Sequence, residues 1–283
     1  MLRQILLSFM VVCFATSASV IAADKTPLTM VVMDPLAAPL SCPCVEGYAQ
    51  RKYEILAEHL SLKLGRSVNV VFTESLIHAK TSGKITRVDL VIGKDSVVRH
   101  DASVIEQPVH PIARLTGKDG TTTQYGMIVV RKSDPAKSVA DLKGYRVFFG
   151  PAESDEKHAA AVALLKENGV TISDKREISE ACSDGACQVL DLGEGVDAAA
   201  VISSYAAPLL EGCGTIKKGD LRVVGKTDPV PFITAFVAND LPAETARQIE
   251  QELLRSGQQP QLLIALETLA GFVAIEPDAK KKN

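Results

Sequence analysis

The side chains best suited to chemistry in this chain are its cysteines and one short charged turn. Cys42-Pro43-Cys44 sets two thiols one residue apart. A disulfide across so small a loop is strained and readily reduced. As thiolates the pair suits a soft metal such as Cu(I) or Zn(II), completed by His78, His100, His110 or His158. No Cys-x-x-Cys or His-x-x-His spacing defines a metal centre. A structural or redox role for Cys42 and Cys44 is therefore the main expectation, with metal binding the alternative. Cys182, Cys187 and Cys213 fall in one later stretch. In an oxidising compartment one bridge among these three is expected, and the spacing does not choose the partners.

The charged turn is Glu153-Ser154-Asp155-Glu156-Lys157-His158. It follows the apolar run of residues 145–149 and the pair Gly150-Pro151, and it precedes a helical pattern over 155–168. Ser154 is the expected N-cap of that helix, and Asn168-Gly169 its stop. Carboxylates in a first turn stabilise a helix by opposing its positive end. The same carboxylates repel an anion, by about 1 kcal/mol at ~4 Å in water and by several times that in a half-buried cleft.

No nucleophile elbow, His-Glu-x-x-His, phosphate loop or dinucleotide fingerprint occurs, so no catalytic residue and no cofactor is expected. Across 283 residues the formal net charge is −3, and the one basic run is the tail Lys280-Lys281-Lys282, which argues against nucleic acid. Aromatic residues make up 5% and tryptophan is absent, which disfavours a large sugar.

The elements that position these residues can be read from periodicity. Residues 1–22 carry Arg3, an apolar run over 5–15 and the small-residue end Val20-Ile21-Ala22. This is the pattern of a cleaved export signal, implying a periplasmic or secreted protein. Apolar runs at 28–33, 68–72, 88–92, 125–130, 145–149, 197–202, 221–224 and 232–237 read as strands. A helix is expected over 47–64, closed by Gly65, with others near 204–210, after Pro242 and after Pro260. Strands separated by helices predict an α/β fold. The little-patterned stretch 107–124 could carry the chain into a second lobe, and 225–232 could bring it back. The division expected is 24–115 plus 226–283 for lobe 1 and 116–225 for lobe 2.

Four stretches extend this reading: GYAQRKYEILAEHLSLKLGRSVNVV (47–71), VVRKSDPAKSVADLKGYRVFFG (129–150), GEGVDAAAVISSY (193–205) and VVGKTDPVPFITAFVANDLP (223–242). In order and spacing they resemble the phosphate/phosphonate-type periplasmic solute-binding proteins of ABC importers. The resemblance implies a type II binding-protein fold. It consists of two lobes, each a mostly parallel sheet flanked by helices, joined by two hinge strands and closing on a small ligand. It also implies a membrane permease as partner, a monomeric protein and no enzyme activity. In the phosphonate binders a Ser-Thr-Ser-like run at the helix N-terminus holds the oxyanion. Here only Ser154 matches, so a ligand other than phosphate or phosphonate is expected.

Loops at strand carboxyl ends line such clefts. The ligand-binding candidates are therefore Asp34, Ser41 and Cys44 after the first strand, Lys94 after the third, and Tyr125 near the crossing. In lobe 2 they are Ser154, Asp155 and His158, with Ser204 and Tyr205 after strand 197–202 (Ser203 precedes them), and Thr227 lies in the return segment. The alternative reading is a periplasmic accessory protein that handles metal or redox equivalents through its Cys-Pro-Cys loop.

Overall fold

The computed structural model describes residues 26–41 and 50–276. The expected export signal and the Cys42–Cys44 motif lie outside the described residues. The elements are, in order, β1 (Leu28–Met33), α1 (Tyr53–Leu64), β2 (Val68–Phe72), α2 (Leu76–Thr81), β3 (Leu90–Lys94), α3 (Asp95–Val104) and β4 (Val109–Leu115). There follow β5 (Thr123–Gln124), β6 (Gly126–Arg131), β7 (Arg146–Phe149), α4 (Ala159–Glu167), β8 (Glu177–Ile178), α5 (Cys182–Asp191) and β9 (Ala198–Ser203). The chain continues through α6 (Ala207–Gly212), β10 (Leu221–Lys226), β11 (Val230–Pro231), β12 (Ile233–Ala238), α7 (Ala243–Leu254), α8 (Pro260–Ala265) and β13 (Phe272–Val273).

Two sheets result. The six-stranded sheet runs β13-β4-β12-β3-β1-β2, and the five-stranded sheet runs β10-β6-β9-β7-β8. The first takes its strands from both ends of the chain and forms lobe 1; the second takes the middle and forms lobe 2. Between them β5 and β11 pair antiparallel as a two-stranded ribbon. Both sheets are mixed rather than mostly parallel. β1 is parallel to β2 and β3, but β12 runs antiparallel to β3 and β4. In lobe 2, β7 is parallel to β8 and β9, while β6 runs antiparallel to β9 and β10. The antiparallel strands flank the crossings: a chain that leaves a sheet through the ribbon and returns beside its exit must run backwards.

Both sheets are covered on both faces, which is why their strands read as continuous apolar runs. In β6, Ile128 and Val130 join Phe149, Ala161 and Leu165 beneath α4. The alternating Met127 and Val129 join Ala186, Val189 and Ile202 beneath α5. In lobe 1, Leu56, Leu60, Ile92, Ile233, Ile249 and Leu253 make one layer, and Val31, Val91, Val98 and Phe236 the other. Each such side chain stabilises the fold by roughly 1.5–3 kcal/mol on full burial.

Two helices begin later than the sequence pattern suggests. α1 starts at Tyr53 rather than at 47. Arg51 is held extended by a bridge to Ala37, and its N–H donates to the carbonyl of Leu36 at 2.7 Å. Gly65 does end α1, in the left-handed conformation at φ 64°. α4 starts at Ala159, and its N-cap His158 makes no side-chain cap. Residues 151–158 instead wind through tight turns, with Ser154 N–H donating to Pro151 and the N–H groups of Lys157 and His158 donating to Ser154. Gly150 N–H closes this coil on the carbonyl of Lys157 at 3.2 Å.

The expected cysteine bridge is not formed. Cys187 and Cys213 are both free thiols, so every pairing open to the three lacks a partner. The two sit on different helices, and the sulfur of Cys213 is engaged locally, 3.0 Å from Thr215 Oγ1.

Gly126 begins β6 beneath the 151–158 coil. A Cβ there would lie 2.1 Å from the carbonyl oxygen of Glu156. Gly126→Ala is therefore expected to push the coil off the sheet at a cost of about 1–3 kcal/mol, as overpacking does. Urea denaturation should show a lower midpoint with the slope kept. An unchanged midpoint would mean that the coil is not seated on this glycine.

Candidate interlobe site

The tips of both sheets meet between the lobes. β3 ends in Lys94, and α3 follows at once with Asp95 and Ser96. From lobe 2, β9 ends in Ser203 and β7 leads into the 151–158 coil. Lys94 Nζ donates to Glu156 Oε1 at 2.7 Å and to Ser154 Oγ at 3.3 Å. Ser203 Oγ donates to the same Glu156 oxygen at 2.6 Å. Ser96 Oγ donates to the carbonyl of Glu153 at 2.7 Å and accepts from Asp155 N–H at 3.3 Å. An ion pair and two hydrogen bonds at Ser96 thus tie lobe 1 to lobe 2. Nearby, Tyr205 of lobe 2 stacks on Phe232, with ring centroids 4.9 Å apart, and packs against the lobe 1 core.

The pair is buried: Glu156 is 0% exposed and Lys94 7%. Burial works against ionisation of Glu156, but Lys94 and the hydroxyl of Ser203 outweigh it and hold the carboxyl below its ordinary range. Asp155 lies exposed at the rim. Its carboxyl is pushed up by partial burial and by the neighbouring charges of Glu156 and Asp95, against the pull of Lys94 and Arg99. Asp95 is itself paired with Arg99 at 2.6 Å.

Of the residues expected at a ligand site, Lys94, Ser154 and Asp155 come together here, and Tyr205 makes the aromatic contact beside them. Asp34 does not present itself to a cleft. It is buried in lobe 1, where Oδ2 accepts from Arg51 Nη1 at 2.8 Å and from the Tyr53 hydroxyl at 2.5 Å, and Oδ1 accepts from Leu36 N–H. Burial pushes the Tyr53 phenol well above its usual value, reinforced by Asp34, so it remains a donor. Ser41 accepts from Gln50 Nε2 at 3.0 Å. Cys44 lies outside the described residues.

Tyr125, Ser204 and Thr227 belong to the crossings. Ser204 Oγ accepts from Tyr125 N–H, Thr227 Oγ1 accepts from Gly126 N–H at 2.8 Å, and the ring of Tyr125 carries Lys226 Nζ at 5.2 Å. His158 turns away toward β7, with Nδ1 2.8 Å from the carbonyl of Gly150. Among the described residues no group of three or more His, Cys, Asp or Glu side chains is placed to hold a metal, and nothing there favours a metal- or redox-handling role.

Residues that sequence reasoning did not place at the site are Glu156, Ser96 and Phe232. Glu156 read as a helix-end charge, because the helix was expected to begin before it. The available signal was Gly150-Pro151, which interrupts the strand-to-helix passage and leaves room for a coil. Ser96 carried no such signal, since its partner lies in the other lobe.

Residues 47–279 match the family described as ABC transporter, phosphonate, periplasmic substrate-binding protein. No curated protein is significantly similar in sequence. Solved structures share the fold. PhnD1 from Prochlorococcus marinus, in complex with methylphosphonate, superposes with TM-score 0.64 at 16% identity, covering 89% of this chain and 94% of that one. XAC2383 from Xanthomonas citri, bound to ATP, gives 0.64 at 16%, covering 89% and 92%. The alkanesulfonate-binding protein SsuA from Xanthomonas axonopodis pv. citri, bound to MOPS, gives 0.53 at 16%, covering 86% and 75%.

Removing one partner of a buried ion pair costs about 3–5 kcal/mol when the other stays buried. Here the partners belong to different lobes, and parting the lobes would expose the other to water. Lys94→Met is therefore expected to open the lobes rather than unfold them, giving a larger radius of gyration by small-angle scattering with the far-UV circular dichroism unchanged. An unchanged radius together with the full stability loss would assign the pair to folding instead. The pH response follows from the two carboxyls. Glu156, depressed in the closed form, holds the lobes together above the ordinary Glu value of about 4.3 and lets go as pH falls through its lower one. Asp155, raised, opposes closure at neutral pH and stops doing so once protonated. The closed radius should therefore persist through mild acid and be lost below about pH 4.

Proposed function

The chain belongs to the periplasmic substrate-binding family of phosphonate-type ABC transporters, and from that membership we propose that it captures a small polar solute between its lobes, one that is neither phosphate nor a phosphonate. The family is a transport component that meets an ABC permease and is not an enzyme class. No helix among the described residues is long and apolar enough to cross a membrane.

The observation that carries the reading is the Lys94–Glu156 pair, which joins the strand tips of two sheets across the one place where both end. Ligands of open α/β sheets bind at such tips. Hinge closure about the segments 116–125 and 227–232 gives the capture step. We take 24–115 with 226–283 as the first lobe, 116–225 as the second, 1–22 as an export signal, and the working unit as a monomer. The exclusion of phosphonates rests on Glu156, whose buried carboxylate occupies the turn after β7 and would repel an anion placed there.

A thermal-shift screen of amino acids, amines, vitamins, sulfonates, phosphate and methylphosphonate tests this. Ligand at a hundredfold its Kd stabilises by about 2.7 kcal/mol, so a true solute should raise Tm clearly and compact the protein in scattering. Phosphate and methylphosphonate should do neither. Stabilisation by methylphosphonate would overturn the exclusion, and turnover of any hit would overturn the transport role.

A further inference from the structure

We infer that the lobe 2 wall of the cleft is a seat for a small organic monocation bearing a primary ammonium, with Glu156 Oε2 as its acceptor and Asp155 guarding the entrance. This deepens the solute-binding reading and rests on it.

The first support is an orphaned acceptor. Glu156 Oε1 takes two donors, Lys94 Nζ and Ser203 Oγ, while Oε2 is equally buried and has no partner among the described residues. A buried charged oxygen without a donor is costly, and such a group calls for a donor from water, an ion or a ligand. Lys94 reaches this carboxylate from the opposite lobe, so the group stands at the junction of the two lobes.

The second support is that the wall already accommodates an ammonium. Lys94 Nζ is one, delivered on a tether, and it rests on Glu156 Oε1 and Ser154 Oγ. The acceptors that suit it suit a free ammonium of the same chemistry, and Oε2 is the acceptor Lys94 leaves over.

The third support is charge. The groups that act on Asp155 are the carboxylates of Glu156 and Asp95 and the cations Lys94 and Arg99. Arg99 is matched by Asp95. Lys94 and Lys157, both of which act on Glu156, balance the two carboxylates Glu156 and Asp155, so an added monocation unbalances the set less than a dianion does. A dianion would instead meet both carboxylates with Lys94 already engaged.

Calorimetric titration of the full chain tests the seat. The probes are the primary amines ethanolamine, n-butylamine and glycinamide; tetramethylammonium, which has the charge but no N–H; and methylphosphonate. At least one primary amine should bind, and tetramethylammonium at least tenfold more weakly. Glu156→Gln should weaken amine binding tenfold or more, and Asp155→Asn by a smaller factor that shrinks with added salt. Lys94→Met separates a seat from a mere latch. If Glu156 only holds the lobes shut, both substitutions lose binding. If it seats an ammonium, Lys94→Met vacates Oε1, and amine affinity is kept or raised. Amine binding untouched by Glu156→Gln would overturn the inference. Binding of methylphosphonate and of no amine would overturn it too, yet leave solute capture standing. No binding by any solute of the wider screen, with no compaction, would remove both.

Discussion

The structure turns on one carboxylate held between two lobes. Glu156 belongs to lobe 2 by its backbone and to lobe 1 by its ion pair with Lys94. A buried pair of this kind is poor evidence of stability, because removing two charges from water cancels most of their attraction. Its value lies in specifying one arrangement. Lys94 and Glu156 are both covered only when β3 and the 151–158 coil are brought together, and the hydroxyls of Ser154, Ser203 and Ser96 have their partners in that same arrangement.

Much of the remaining architecture serves to place the coil. Gly126 lets the carbonyl of Glu156 come against β6, and Gly150 lets the Lys157 side chain lie over the end of β7. Thr227 straps the return crossing to the outgoing one through both N–H···O directions with Gly126. Gly126 therefore stands where three things meet: the start of a lobe 2 strand, the hinge and the floor of the coil.

How far the sequence revealed this depends on the range of the interactions. Strands buried on both faces announce themselves as apolar runs, and β1, β2 and β12 lie within a residue or so of where periodicity puts them. Local punctuation also reads well: Gly65 and Gly169 adopt positive φ after their helices. What failed was non-local. The first turn of the expected α4 becomes a coil because Gly150 reaches Lys157 across it. Residues 50–52 of the expected α1 are not helical, and Arg51 there bonds to Asp34 and Leu36. Asp34 looked like a ligand group for the right positional reason, a strand tip, but a guanidinium and a phenol seventeen and nineteen residues away take it out of play. The helices α2, α3 and α5 had no place in the sequence reading, although α3 and α5 are amphipathic.

The proposed exclusion of an oxyanion rests on the same accounting of charges. An anion site needs donors that nothing else has claimed. Arg51 stays charged although burial disfavours it, because Asp34 and Tyr53 more than offset that burial, and its charge is answered inside lobe 1. Arg99 is answered by Asp95, and Lys157 turns its ammonium to the carbonyl of Glu180. Lys94 faces the cleft and is answered by Glu156. Arg51, Arg99 and Lys94 are thus each paired with a carboxylate, while Glu156 Oε2 remains a buried acceptor without a donor among the described residues. The carboxylate buried at these strand tips is the observation on which the proposal of a positively charged solute rests.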